Sequence, residues 1–410
     1  MRRVVALLAS VALLMAGNGP LTTIISLQLE ESGTAPLAIG AIMASYFAGL
    51  TLGALIAYRV VLRAGHIRAF AVFASVISAA ALTYPLVVHP LPWAALRLTE
   101  GFCMAGIFIC VESWLNEQAA PATRGKILAL YMICLYFGQA AGQLLLGLDQ
   151  GPGRPMVFML VSMLMSLAIL PVALTRQSPP VVPEVASFPV HRLYAASPLG
   201  MVGTLASGVV LGSVYALGPL FARGAVGLDP AGAARFMGVI ILGGVLLQWP
   251  LGRLSDTFDR RRVIIATLAA LTVVAALLPF LASGAWPALF GASALFGGFA
   301  FTLYPLCVAH MNDHLETRDR IAACGGLVLV YSAGATAGPL VASAIMPALG
   351  ATGLFTFVVC IAMAVLIFGL WRMLVRESVP AERQGPFQAI PRTTPAAAPL
   401  DPRTALDPGR

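Results

Sequence analysis

Charged side chains are scarce in this sequence. Only 10% of its 410 residues are Asp, Glu, Lys or Arg, whereas a soluble globular chain carries about 25%. Hydrophobic residues make up 59%, and the mean hydropathy is +0.89. This deficit of charge excludes an ordinary soluble domain and predicts an integral membrane protein. The net charge of +8 does not indicate a nucleic-acid partner, because the arginines lie between apolar runs and form no patch with interleaved aromatic residues.

Residue types that carry catalytic or metal chemistry are also few. There are five histidines, and the six cysteines all lie inside apolar runs without zinc-site spacing. We therefore expect no disulfide, no metal and no cofactor. The sequence contains no H-E-x-x-H, G-x-S-x-G or P-loop motif. It therefore favours neither an enzyme nor a pump driven directly by ATP.

The sequence consists largely of long apolar runs. Strand-type alternation is absent, so the runs predict helices rather than a β-barrel. The first run resembles a signal peptide, but it continues past Gly19-Pro20 without an A-x-A cleavage site, so we expect a retained helix. A membrane-spanning helix needs about 20 apolar residues, and twelve runs qualify: 4–27, 37–58, 69–88, 92–112, 127–147, 156–174, 199–222, 236–252, 263–282, 286–309, 321–346 and 353–371.

The positive charges between the spans specify one orientation. If both termini are cytoplasmic, only three arginines outside the spans face outward, namely Arg154, Arg223 and Arg235. The other arginines between spans, and the single lysine, then face inward, as the positive-inside rule requires. The predicted organisation is a six-helix bundle over 1–174, a cytoplasmic linker over 175–198, a second six-helix bundle over 199–376, and a disordered Pro- and Ala-rich tail over 377–410.

The two halves carry matching residues at nearly constant offsets. The tripeptide G-P-L at 19–21 recurs at 218–220, and Gly53 corresponds to Gly252, both 199 residues apart. After a short gap the offset becomes 196, at which the G-x-x-x-G pair of 138–142 matches that of 334–338. Several matches in order predict two pseudo-symmetric halves in parallel orientation that rock around a central site. We expect the two G-x-x-x-G pairs to contact the opposite half.

Two motifs resemble those of a known transporter family. The stretch "GRLSDTFDRRR" at 252–262 is similar to the loop motif of the major facilitator superfamily, and "RLTEGFCMAG" at 97–106 to its fourth-helix motif, with Glu100 where Gln is usual. The first-half copy, "GALIAYRVVLRAGHIR", keeps Gly53 but has Ala57 where the acidic residue is expected. "VESWLN", "RGK" and "LYPLCVAHMND" look like a bacterial subgroup whose substrates are mostly unassigned.

The resemblance implies a fold and a class of function. It implies a major facilitator fold of twelve helices, with spans 1, 4, 7 and 10 around a central cavity. The expected function is secondary transport of a small organic molecule, without cofactor, by a monomer in the lipid bilayer of the bacterial inner membrane. Export coupled to protons is slightly favoured over proton-coupled uptake of a metabolite such as a sugar or an organic acid. A channel or a membrane sensor that transports nothing remains an alternative.

Arg97 and Glu100 are the candidate proton site. They lie within span 4, and Glu100 is roughly 12 Å from its outer end at 1.5 Å per residue. Charges at this depth are costly and commonly functional. We predict that Glu100 binds and releases the proton while Arg97 pairs with it, with a static ion pair or substrate contact as the alternatives. The other cavity candidates are polar or aromatic residues within the spans: Asn18, Tyr304, His310, Tyr46, Tyr136, Gln139, Tyr215 and Tyr331.

A candidate cytoplasmic gate combines the loop motif with the stretch 111–126. By pseudo-symmetry, Asp256 would face Arg124 and the start of span 5. Glu112 or Glu117 would meet Arg253 or Arg260 of the other half. The predicted gate residues are Gly252, Asp256, Arg260, Arg261, Glu112, Glu117 and Arg124.

Overall fold

The computed structural model describes residues 2–87, 89–120, 123–149, 151–174, 188–284, 286–375 and 384–401. Within these ranges the chain is helical and contains no strand. The N-terminal half consists of α1 (Arg2–Glu31), α2 (Pro36–Ile56), α3 (Tyr58–Ala64), α4 (His66–Thr83), α5 (Pro90–Gln118), α6 (Arg124–Gly142), α7 (Pro155–Leu167) and α8 (Ile169–Ala173). The C-terminal half consists of α9 (Val190–Ala196), α10 (Pro198–Gly224), α11 (Pro230–Thr257), α12 (Arg260–Leu281), α13 (Trp286–Asn312), α14 (Thr317–Leu349) and α15 (Gly353–Val375).

The long helices match the predicted spans in order. Eleven described stretches are long and apolar enough to cross a bilayer, and the last, Thr317–Val375, contains both α14 and α15. The spans are therefore α1, α2, α4, α5, α6, α7 with α8, α10, α11, α12, α13, α14 and α15. The end of the bundle at which α1 begins and α15 ends is called the terminal face, and the other end the distal face.

Local sequence sets where the helices of the C-terminal half begin. Proline occupies the first turn of α10 and α11, where its missing N–H is not needed. The Ser197 hydroxyl accepts a hydrogen bond from the Gly200 amide, the Asp229 carboxylate from that of Gly232, and the Asp259 carboxylate from that of Arg261. These side chains cap α10, α11 and α12 by satisfying amides that have no partner within the helix.

Each half repeats the same helix pairings. In the N-terminal half α1 packs on α6 and α2 on α5, and in the C-terminal half α10 packs on α14 and α11 on α13. The two G-x-x-x-G pairs lie in equivalent places: a Cβ at Gly142 would stand 2.1 Å from the Ala16 carbonyl oxygen, and one at Gly338 2.3 Å from that of Val209. Both pairs therefore join helices within one half. The prediction that they contact the opposite half is wrong, because small residues indicate a close approach without naming the partner helix.

The two halves contact each other toward the distal face. There α2 packs on α14, α6 on α11, and α1 on α10. Gly40, near the start of α2, lies so close to α14 that an added Cβ would be 2.6 Å from the Pro339 carbonyl oxygen. Large apolar side chains such as Leu246, Phe280 and Leu374 are exposed on the perimeter, while polar side chains collect inside. An exposed apolar perimeter suits a chain surrounded by lipid.

The C-terminal segment differs from its prediction. Residues 384–401 lie between the two halves, where Ile390, Ala397 and Leu400 are almost fully buried and Pro395–Leu400 forms a 3-10 helix against α5 and α14. Its composition offers no core of its own, which is why sequence reasoning predicts disorder. The bundles supply the apolar surface that the segment lacks. Residues 377–383 and 402–410 of the predicted tail, 175–187 of the predicted linker, and residue 376 at the end of the predicted second bundle lie outside the described residues.

Candidate functional site: a central cavity between the halves

A cavity lies between the halves, below their contact at the distal face. Side chains of α1, α2, α5 and α6 line it from one half, and those of α10 and α14 from the other. Pro391, Arg392 and Thr393 of the C-terminal segment complete the wall. Seven residues predicted to face the cavity do so, namely Asn18, Tyr46, Arg97, Tyr136, Gln139, Tyr215 and Tyr331.

Arg97 and Glu100 form a buried ion pair at the edge of this cavity. The Arg97 Nη1 atom donates to Glu100 Oε2 at 2.9 Å, and the two residues are 0% and 2% exposed. Arg97 also lies over the Tyr46 ring, 4.3 Å from its centroid, and its Nη2 donates to Thr22 Oγ1 at 3.4 Å. Arg97 lines the cavity, whereas Glu100 lies behind it next to the Tyr84 side chain. A solute in the cavity would thus reach Glu100 through Arg97.

Besides Glu100, two predicted cavity residues do not line the central cavity. Tyr304 is 1% exposed and packs edge-on against Tyr331, with ring centroids 5.3 Å apart, so it supports the wall from behind. His310 lines a different cavity together with Ser197, His314 and Arg372. The prediction that His310 faces the central cavity is wrong, because the last turns of α13 direct it toward the start of α10.

Four aromatic rings meet at the cavity wall on the side of the C-terminal segment. Tyr136 of α6 and Phe301 of α13 are 5.2 Å apart, and Tyr215 of α10 lies 6.1 Å from Phe301. The Tyr215 hydroxyl donates to Gln139 Oε1 at 3.1 Å, which joins the two halves. The Arg392 guanidinium carbon stands 4.5 Å from the Phe301 centroid, 5.4 Å from that of Tyr331 and 5.5 Å from that of Tyr136. We call Tyr136, Tyr215, Phe301 and Tyr331 the aromatic cage.

Glu112 lies on the terminal side of the cage and is fully buried. Its carboxylate accepts a hydrogen bond from the Tyr131 hydroxyl at 2.9 Å and further ones from the hydroxyls of Thr393 and Thr394. Residues 393 and 394 are themselves buried. The C-terminal segment therefore supplies two of the three hydroxyl donors to this carboxylate.

The loop motif holds the same segment at the terminal face. The Asp256 carboxylate accepts from the Phe387 amide at 2.7 Å, and Arg260 Nη2 donates to the Gly385 carbonyl at 2.8 Å. Arg260 is 1% exposed and also pairs with Asp256, at 3.2 Å, and with Asp313. Gly252 leaves room for the Phe387 ring, since a Cβ there would come within 2.2 Å of it. We call Gly252, Asp256, Arg260 and Asp313 the clamp.

The predicted pairing of the gate residues differs from the observed one. The described hydrogen bonds and ion pairs do not join Asp256 to Arg124, or Glu112 and Glu117 to Arg253 and Arg260. Glu117 is exposed, and Arg253 lies over the Trp249 ring at 4.2 Å. The C-terminal segment instead occupies the space between the two sides of the predicted gate.

Arg261 has a local role in the described contacts. Its Nη2 donates to Asp259 Oδ2 at 2.9 Å, in the turn between α11 and α12. Partial burial opposes ionisation of Asp259, but the hydrogen bonds and charge of Arg261 outweigh it and lower the pKa of that carboxyl below its ordinary value. The carboxylate thus stays ionised as the cap of α12.

Ion pairs close the cavity toward the distal face. Arg223 of α10 contacts both carboxylates at the end of α1, with its Nε atom 3.6 Å from Glu30 Oε2 and its Nη1 atom bonded to Glu31. Arg154, from the N-terminal half, forms a two-pronged pair with Glu31 at 3.0 and 3.1 Å. Deeper inside, the Ser26 hydroxyl donates to the Ala216 carbonyl at 2.7 Å across the halves. We call Glu30, Glu31, Arg154 and Arg223 the distal network.

Sequence reasoning missed three parts of the site. Arg392, Thr393 and Thr394 lie in a stretch whose composition gave no signal for a folded segment. Phe301 has no polar group, and in a span rich in apolar residues nothing separates a cavity ring from a lipid-facing one. The acidic residues at 30 and 31, at the end of span 1 and opposite the few outward arginines, were the available signal for the distal network.

The sequence matches a family of membrane transporters over nearly its whole length. The sequence model of the Major Facilitator Superfamily matches residues 7–247 and 200–404. An uncharacterized MFS-type transporter of Yersinia enterocolitica is 30% identical over 393 residues, covering 95% of this chain and 99% of that protein.

Two solved transporters share the fold at low sequence identity. The crystal structure of the nucleoside transporter NupG superposes with a TM-score of 0.74 at 14% identity, covering 91% of this chain and 99% of that one. That of a D-xylose-proton symporter gives 0.70 at 12% identity, covering 93% and 99%. Arrangement, motifs and relatives therefore agree that this multi-pass membrane protein belongs to the Major Facilitator Superfamily of secondary transporters.

Proposed function

We propose that this transporter moves a small organic solute across the bacterial cytoplasmic membrane by alternating access, coupled to protons, with export favoured. The observation that carries the proposal is the buried Arg97–Glu100 pair at the wall of a cavity between two pseudo-symmetric halves. A cavity of this kind reaches each side of the membrane in turn when the halves rock against each other.

The orientation follows from the positive charges. Arg154, Arg223 and Arg235 lie toward the distal face, and the other arginines between spans that the structure describes lie toward the terminal face. The positive-inside rule then makes the terminal face cytoplasmic, together with both chain termini. In this orientation the distal network is the closed outer gate, and the clamp and Glu112 belong to the inner gate.

Proton coupling is assigned to Glu100. It lies ten residues into α5, about 15 Å from the helix start at 1.5 Å per residue, which is near the middle of a hydrocarbon layer of about 30 Å. An ionised carboxylate at that depth needs a partner, and Arg97 provides it. Protonation of Glu100 removes the counter-ion of Arg97, which changes how the guanidinium contacts a solute in the cavity. Solute binding and proton binding are thereby linked through one side chain.

The test compares gradient-driven transport with exchange in proteoliposomes. A solute is first selected by thermal-shift screening of the purified protein against nucleosides, sugars, organic acids and amines, because a bound ligand stabilises the folded state. Wild type should accumulate that solute under an imposed pH gradient. Glu100→Gln should lose accumulation but keep exchange of labelled for unlabelled solute, since exchange needs no net proton movement. The exposed Glu117→Gln on the same helix is the matched control and should behave as wild type.

Gradient-driven accumulation by Glu100→Gln at the wild-type rate would exclude Glu100 as the proton site. Absence of flux for every stabilising solute, in both membrane orientations, would argue instead for a sensor. Conductance in planar bilayers far above carrier turnover would indicate a channel.

Uptake of a polar metabolite is the second candidate. The names of two proteins that share the fold, a nucleoside transporter and a D-xylose-proton symporter, favour such a substrate class for this cavity. Vesicles of defined orientation distinguish the two directions: proton-driven export accumulates solute in inside-out vesicles with an acidic lumen. Proton-driven uptake accumulates it in right-side-out vesicles with an acidic exterior.

A further inference from the structure

We infer that the aromatic cage with Glu112 beneath it is a binding site for an organic cation, and that Arg392 of the C-terminal segment occupies it as an internal competitor. The inference rests on the proposed function in that it names the substrate class of the same cavity. It concerns equilibrium binding, which does not require proton coupling.

The surroundings of Arg392 fit a planar cation. Its guanidinium lies within 6 Å of three ring centroids contributed by both halves, which is the range of attractive cation–π contacts. Tyr136, Phe301 and Tyr331 are each buried, so lipid and bulk water have little access to the cage. Arg392 itself is only partly buried, because it borders the cavity. The rings therefore surround a position that a cation from the cavity can reach.

The charges near the cage favour the same class of ligand. Arg97 and Glu100 neutralise each other. Glu112, fully buried, is hydrogen-bonded by hydroxyl groups alone in the described contacts. When the segment leaves, Glu112 loses the hydroxyls of Thr393 and Thr394 and keeps that of Tyr131. A buried carboxylate with fewer donors gains most from a cationic ligand, or from one that carries N–H or O–H donors.

The segment is held at several points and spans both halves. The clamp binds residues 385 and 387, the cage holds Arg392, and Pro395–Leu400 packs against α5 and α14. With the segment in place, the solute site is filled and the terminal face cannot close. Release of residues 391–394 is thus required before a cation binds, and release of the rest before the halves rock.

The test measures binding of benzylguanidine by isothermal titration calorimetry to full-length protein in nanodiscs. Benzylurea, its neutral counterpart of similar shape, is the ligand control. The variant Arg392→Ala removes the internal cation, and Arg318→Ala removes an arginine that is 75% exposed and pairs only locally with Glu316 in the described contacts. If the segment fills the cage nine-tenths of the time, Arg392→Ala should bind benzylguanidine about tenfold more tightly than wild type, because apparent affinity scales with the vacant fraction. Arg318→Ala should match wild type.

A second variant tests the cage itself. Adding Phe301→Leu to Arg392→Ala should reverse most of the gain, and its thermal midpoint shows whether the protein remains folded. Equal affinity of wild type and Arg392→Ala for benzylguanidine would overturn the internal competitor. Equal binding of benzylguanidine and benzylurea by Arg392→Ala, or binding of neither, would overturn the cation site. The binding comparison uses only variants that keep Glu100, whereas the test of proton coupling uses Glu100→Gln, so failure of proton coupling and failure of this inference are distinguishable.

Discussion

Removing Arg223 should open the distal face, because this side chain joins the two halves. It contacts Glu30 and Glu31 of the N-terminal half, and the three side chains are about a third exposed. An exposed ion pair contributes about 0–1 kcal/mol. Arg223 contacts two carboxylates, so Arg223→Gln should shift the equilibrium toward the distally open state by up to about 2 kcal/mol. This corresponds to a change of up to roughly 30-fold in the population ratio.

Arg154→Gln is the matched control for this prediction. Arg154 also pairs with Glu31, at 3.0 Å, but both residues belong to the N-terminal half. Its loss removes a similar interaction without separating the halves, so it should shift the equilibrium much less.

Pulsed electron–electron double resonance measures the opening of the distal face directly. Spin labels at Ser32 and Ala348, both exposed near the distal ends of α1 and α14, report the distance between the halves, with the exposed Cys360 replaced by serine. A larger long-distance fraction in Arg223→Gln is the expected result. Equal distance distributions in wild type, Arg223→Gln and Arg154→Gln would refute the assignment of Arg223 to a gate, and equal shifts in both variants would refute the role of its position across the halves.

Two further predictions concern stability and are measured as thermal midpoints. Gly142→Ala should destabilise the folded protein by about 1–3 kcal/mol, because its Cβ would stand 2.1 Å from the Ala16 carbonyl oxygen. Gly291→Ala is the control and should be neutral or slightly stabilising, because the space around its Cβ is open. Equal thermal midpoints of the two variants would argue against the tight α1–α6 contact. Arg260→Met should cost about 3–5 kcal/mol, because it leaves the Asp313 carboxylate, whose side chain is 3% exposed, without its cationic partner. Adding Asp313→Leu should recover part of the loss. A double variant no more stable than the single one would contradict a buried ion pair.

The fold was predictable because apolar runs of span length recur along the chain and the two halves share motifs at nearly constant offsets. Each span buries or exposes enough apolar surface to be recognised without its neighbours, and polar residues inside a span, such as Asn18 and Arg97, have few places to lie other than the cavity. Helix partners were less predictable. Gly138 and Gly142 indicate that some helix comes close, and only the assembled bundle shows that it is α1.

The C-terminal segment marks a different limit. Its burial depends on surfaces that two separate bundles create, so no local pattern in residues 384–401 encodes it. The polar contacts of Thr393 and Thr394 with Glu112 join residues about 280 positions apart along the chain. Composition indicates only whether a segment can form a core of its own, whereas this segment is buried by the surfaces of the two bundles.

The asymmetry of the loop motif explains which half holds the segment. In the C-terminal half, Asp256 accepts the Phe387 amide and Gly252 admits its ring. At the corresponding place in the N-terminal half the sequence keeps Gly53 but has Ala57, which supplies no carboxylate. A segment with free backbone amides can therefore be held by the motif of one half only. The clamp thus gives the carboxylate of Asp256 a second partner besides Arg260, the Phe387 amide, and Asp256 loses this second partner whenever the segment leaves.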